Sequence, residues 1–176
     1  MELSPVMQKF VLHWGEMGTR WGVNRTVAQI HALLYISPRP LTAEEIALTL
    51  SCARSNVSTS LKELQGWGIV RPVHVLGDRR DHFESMADVW KMFEIVLTER
   101  KRREIDPAVA MLRECVAEAD RQKPADRHTS ERLAELLEFF QTMSDWYEQV
   151  RGLPTRALMK FVRMGSKVRQ LVGAGS

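Results

Sequence analysis

Apolar positions recur along most of this chain at the three- and four-residue steps of amphipathic helices. Ser4-Pro5 is a cap and first-turn pair, and Met7, Phe10, Val11, Trp14 and Met17 follow it in one stripe, predicting a helix from Pro5 to Gly18. Asn24 caps a second stripe of Val27, Ile30, Leu33 and Leu34, which Pro38-Arg39-Pro40 ends. Thr42-Ala43-Glu44-Glu45 has the form of a capping box and opens a short helix over about Ala43–Leu50. Ser51-Cys52 interrupts it, and Val57, Leu61 and Leu64 mark another short helix from Ser55 to Gln65, stopped by Gly66 and Gly68 around Trp67.

The period then falls to two. Ile69–Leu76 reads as a strand, Gly77-Asp78-Arg79-Arg80 as a turn and Asp81–Ser85 as the return strand, with Pro72 arguing for a sheet edge. Helical spacing resumes at Val89, Trp90, Phe93, Val96 and Leu97. Asp106-Pro107 signals a new helix carrying Val109, Leu112, Cys115 and Val116. Beyond a break at Lys123-Pro124-Ala125-Asp126, a long stripe takes in Leu133, Leu136, Leu137, Phe140, Met143, Tyr147 and Val150, and Gly152 and Pro154 precede a last helix. The expected fold is mainly α with a small β-hairpin. An N-terminal helix occupies 1–23 as a dimer or linker region, a winged helix-turn-helix 24–86, and a helical dimerisation region 87–176 with a basic C-terminal helix.

Two short helices joined tightly and followed by a hairpin are the order of a winged helix-turn-helix, in which the first helix crosses the second and holds it outward. Ala47 supplies the small contact and Ser51 the turn. With Val57, Leu61 and Leu64 inward, Arg54, Ser55, Asn56, Ser58, Thr59 and Lys62 face solvent as an acid-free, hydrogen-bonding surface suited to the DNA major groove. Arg54 and Asn56 match the acceptor pair of guanine and the donor–acceptor pair of adenine. Ser55, Ser58, Thr59 and Lys62 suit phosphates. Arg79 and Arg80, placed at the hairpin tip, have the reach and charge to enter a minor groove, with Asp78 orienting them.

Composition narrows this little: 176 residues with 44% apolar and 27% charged content make a folded globular chain. No apolar run approaches the ~20 residues of a membrane span and the start lacks a signal-peptide layout, so the expected compartment is the cytoplasm. Cys52 and Cys115 are far apart and read as reduced thiols. Charge changes the picture more. The net charge is +3, yet Arg151–Ser176 holds six basic residues and no acid, four of them (Arg156, Lys160, Arg163, Lys167) on one helical face.

The segments Phe10–Gly18, Leu41–Ala47, Ser55-Asn56-Val57-Ser58 and Gly77–Arg80 before Phe83 resemble the MarR family of bacterial transcription regulators, nearest its GbsR-like branch. The resemblance covers about residues 6–105 and is loose beyond. It implies a homodimer with a winged domain in each subunit, an interface of helices from both chain ends, and a wing whose Asp-x-Arg pattern falls on Asp78 and Arg80, with Arg79 an alternative contact. The expected function is sequence-specific binding of double-stranded DNA at a near-palindromic operator, as a repressor modulated by a small-molecule effector.

Other features weigh less. Trp14 and Trp21, flanking a Gly-bearing bend, are the best pair for an aromatic cage around a quaternary ammonium, though packing explains most of the tryptophans. His74 and His82 read as surface wing histidines, and no metal-ligand spacing, cofactor fingerprint or catalytic order stands out, so a non-enzyme without cofactor is expected. The basic C-terminal helix suggests dimer packing with a solvated face, the alternative being an adaptor that docks a protein partner or membrane surface through it.

Overall fold

The computed structural model describes residues 2–121, 126–154, 156–160, 162 and 164. The chain is mainly helical and divides into two compact units, 1–95 and 96–176.

In the first unit α1 (Pro5–Arg20) is capped by Ser4 and α2 (Arg25–Ile36) by Asn24, whose Oδ1 accepts from the Thr26 amide at 2.8 Å. Strand β1 (Leu41–Thr42) leads into α3 (Ala43–Leu50), and α4 (Arg54–Gly66) follows. Strands β2 (Val70–Val75) and β3 (Asp78–Ser85) complete an antiparallel sheet of order β1-β3-β2. The hairpin is thus two strands of three. Pro72 lies on β2, at the edge of the sheet, the position that tolerates a residue without an N–H.

The core centres on α2. Ile30 and Leu33 are fully buried with Leu41, Ile46 and Val57, and Leu61, Leu64, Ile69, Val70 and Phe83 close around them. Helix α1 lies unusually near: a Cβ on Gly18 would stand 2.4 Å from the Ala28 Cβ, and one on Gly15 2.6 Å from the Gln29 Cγ. Gly15 and Gly18 therefore mark close helix packing inside a continuous α1, and the expected bend between Trp14 and Trp21 is absent. The chain turns at Gly22, where φ is +75°.

From Val89 the chain stays helical to Ala119. Helix α5 (Val89–Arg100), whose first amides bond to Asp88, passes through a π-helical turn at Lys101–Ile105 into α6 (Asp106–Ala119). Asp106 is not the predicted cap: its backbone is helical and its amide donates to the Lys101 carbonyl, five residues back. A π turn accommodates Pro107, which lacks an N–H and would crowd a regular α-helical turn. Met92 and Ile95 of α5 pack on the first unit's core.

Within the second unit α7 (Arg127–Arg151) is capped by Asp126 and packs on α6, where Val109 and Leu112 are buried. Tyr147 lies 2.7 Å, oxygen to oxygen, from Thr98, and Lys101 pairs with Asp106 at 2.7 Å and Glu148 at 3.3 Å. Lys123–Ala125 of the expected break, and Phe161, Arg163, Lys167, Val168, Arg169, Leu171 and Val172 of the last helix, lie outside the described residues.

Two predictions follow from this packing. Gly18→Ala gains helix propensity yet sets a methyl against Ala28, so it is expected to destabilise by about 1–3 kcal/mol, whereas Gly66→Ala, facing open space, is expected to be neutral or to stabilise by up to ~1 kcal/mol. Urea unfolding of both variants checks the contrast. His31 is buried on α2, its Nε2 has no hydrogen-bond partner among the described residues, and burial pushes its pKa from 6.5 to about 4. The unfolded chain takes this proton below pH 6.5 and the folded chain only near pH 4, so the His31 contribution is complete above pH 6.5 and is lost as pH falls towards 4. Between pH 7 and 5 it amounts to about 2 kcal/mol, and His31→Leu is expected to remove that part of the acid sensitivity in paired denaturation curves.

Candidate nucleic-acid interface

The capping box positions the first helix. Thr42 Oγ1 accepts from the Glu45 amide at 3.2 Å, and Glu45 Oε2 accepts from the Thr42 amide at 2.7 Å. Arg39, at 2.5 Å, is the chief cause that brings the Glu45 carboxyl down to about 2, with the Thr42 amide and hydroxyl assisting against the cost of burial. Ser51 then ends α3 in the left-handed region, φ 51° and ψ 44°, the one non-glycine residue with positive φ among those described. That conformation, costly for a residue with a side chain, sharpens the turn into α4.

On α4, Val57, Ser60, Leu61 and Leu64 are buried, and Arg54, Ser55, Asn56, Thr59 and Lys62 are exposed, with Ser58 half-buried. Arg54, Ser58, Lys62 and Gln65 recur at steps of four, four and three, placing them on one side of the helix. Asn56 stands two residues from Arg54, nearly opposite at about 200° around the axis. The two proposed base readers therefore flank the exposed face, whose middle is Ser55, Thr59 and Lys62. Glu63, the acid that α4 does carry, is half-buried on the Asn56 side.

The wing departs from the sequence reading. Its turn is Leu76-Gly77, with Val75 paired to Asp78 and Gly77 at φ +85°, so Arg79 and Arg80 lie on β3 and not in the turn. Between the pairs Val73↔His82 and Val75↔Asp78, β3 carries two residues more than β2, and this bulge contains both arginines. The fully exposed tip is Leu76. Arg80 donates from Nε to both Asp78 oxygens at 3.0 and 3.1 Å and pairs through a terminal nitrogen at 2.5 Å, which holds the Asp78 carboxyl well below the usual range. Asp78 thus orients Arg80. Arg79 is exposed and makes no ion pair among the described residues.

His74 is exposed, but His82 is not the surface wing histidine expected from sequence. It is 6% exposed, with Nδ1 donating to the Arg80 carbonyl at 3.0 Å and Nε2 3.5 Å from Asp78. Pairing of β1 with β3 sets Thr42 opposite His82 and covers this edge. Nothing in the hairpin pattern alone reveals that strand.

A concave surface of about 560 Å³ separates α4 from the wing. It brings together Arg54, Ser58, Lys62, Arg79 and Arg80 from the expected set, while Ser55, Asn56 and Thr59 face out beyond it. Its wall also includes Glu44 and Gln65, which sequence reasoning did not place in a site, and His74, which it read as a surface wing histidine. Glu44 forms an ion pair with Arg54. Its carboxyl is held below the usual range first by its own backbone amide and then by Arg54. The available signal was the doubled acid at Glu44-Glu45, of which the capping box needs one.

Trp14 and Trp21 are not brought into a cage around a bend. They lie about 10 Å apart along one helix axis; the Trp14 ring sits 5.5 Å from that of Phe10, and both tryptophans are partly exposed. Burial pushes the half-buried Cys52 thiol up, which disfavours a reactive thiolate.

Residues 21–81, the stretch from the end of α1 to the wing, match the model of the MarR family. The chain is 24% identical over 156 residues to the HTH-type transcriptional repressor GbsR of Bacillus subtilis (strain 168), a similarity covering 84% of this chain and 85% of that protein. A crystal structure of a transcriptional regulator superposes with a TM-score of 0.60 at 24% identity, covering 84% of this chain and 97% of that one. The family match thus spans the winged region, and the similarity to the repressor and to the solved regulator extends along most of the chain.

Proposed function

We propose that this protein is a cytoplasmic, DNA-binding transcriptional regulator that grips a near-palindromic operator as a homodimer and acts as a repressor under the control of a small-molecule effector. The observation that carries the reading is the groove between α4 and the wing, where Arg54, Lys62, Arg79 and Arg80 converge beside Ser58 and outnumber the carboxylates of Glu44 and Asp81. Helix α4 enters the major groove. Lys62, Ser55 and Thr59, at the middle of the exposed face, and Ser58 set its position on phosphates, while Arg54 and Asn56 read base edges from its two sides. Arg80, tied to Asp78, and Arg79 hold the adjacent minor groove from the bulge of β3. Repression is supported by the name of the Bacillus relative, and an effector site is proposed at α1, where Trp14 and Trp21 are partly exposed.

The dimer reading rests on the second unit. Leu136, Phe139, Met143 and Trp146 follow α7 at steps of three, four and three, and each is about half exposed. An apolar stripe of this kind on a helix already packed by its other side asks for a partner, and a second copy supplies it symmetrically while setting two α4 helices about one duplex turn apart.

Gel shifts on the duplex upstream of the protein's own gene test the proposal. Arg54→Ala is expected to cost about 1–3 kcal/mol and relax preference at one base position, while Lys62→Ala weakens all sequences alike and lowers the salt slope by about 1. Unchanged operator binding in Arg54→Ala removes α4 as the reading helix. The double change Phe139→Glu and Trp146→Glu is expected to yield a monomer of unaltered helix content with weak, salt-sensitive DNA binding. Light scattering that finds an intact dimer contradicts the α7 interface.

A further inference from the structure

Glu44 sits oddly in a surface that approaches DNA. A carboxylate facing phosphates is repelled, and the capping box of α3 is completed by Glu45, which also meets Arg39, so that Glu44 gives α3 only first-turn charge and a bond to its own amide. Glu44 faces the groove between α4 and the wing and pairs with Arg54, ten residues later on the next helix. Both side chains are about half exposed, so the pair adds little to stability. Its consequence is geometric. A guanidinium carries five N–H donors in a rigid plane. Glu44 occupies the Nη1 end, which leaves the other edge of the plane directed away from α3 and limits the rotamers open to an otherwise mobile arginine.

We propose that Glu44 is a positioning residue for base recognition: by holding Arg54 from the α3 side, it fixes which N–H edge of the guanidinium meets guanine and sharpens discrimination at one base pair. The inference rests on the reading of α4 as the DNA-reading helix. It adds a penalty for misplacement as well, since an arginine drawn away to a phosphate strands the Glu44 carboxylate beside the backbone.

The test uses the full-length protein and a pool of randomised duplexes, sequenced before and after binding at several salt concentrations. Wild type is expected to select guanine at one position, and Arg54→Ala to lose that selection. Glu44→Gln is expected to reduce the same preference about five- to tenfold and to raise affinity for unselected duplex severalfold, with an unchanged melting temperature. Glu44→Asp, which keeps the charge on a shorter arm, falls between. In the Arg54→Ala background Glu44→Gln is expected to change the preference no further. Full guanine preference in Glu44→Gln, or a loss as large with Arg54 absent as with it present, overturns the inference while leaving α4 as the reading helix. A wild-type protein that selects no base overturns the α4 reading itself, and Glu44 with it.

Discussion

Presentation of a polar helix to solvent depends here on a narrow seam: Val57, Leu61 and Leu64, with Ser60, are all that anchors α4 to the core. Burial of such aliphatic side chains is worth about 1.5–3 kcal/mol each, enough to hold a helix that offers little else to the interior. Because the seam is narrow, most of the α4 circumference stays free for small and basic side chains. Wider burial would bring Arg54 or Asn56 into the core; less would leave the helix unmoored. Ile30 and Leu33 on α2 and Ile46 on α3 form the floor on which this balance rests.

Strand β1 couples that floor to the wing. Thr42 is at once a strand residue opposite His82 and the cap of α3, so one buried residue joins the start of the helix-turn-helix to the register of β3. Arg39, Glu45 and Thr42 make the junction polar but fully satisfied, which suits a site with no room for an unpaired donor. The position of Arg80 relative to α3 is thereby a matter of strand pairing as well as of loop conformation.

Much of this was legible in the residues. Caps at Ser4, Asn24 and Thr42, the period of α4 and the edge character of Pro72 all report local physics, and local physics decided those elements. Most of the failures share a cause, a partner on another element, and the local π turn is the exception. Gly15 and Gly18 look like a bend until Gln29 and Ala28 are set beside them. His82 looks exposed until β1 covers it, and Asp106-Pro107 looks like a helix start because a π turn leaves no signature in apolar spacing. Arg54 looked unopposed because Glu44, part of an apparent cap, belonged to another helix.

The close approach at Gly15 and Gly18 also has a mechanical meaning. Helices separated by long side chains can slide as those chains change rotamer, each layer absorbing part of a displacement. At Gly18 there is almost no such layer, because the α1 backbone rests on the Ala28 methyl. Helices α1 and α2 are therefore stiffly coupled. A push or pull on the outer side of α1, where Trp14 is accessible, is handed to α2 with little damping, and α2 packs directly against α4.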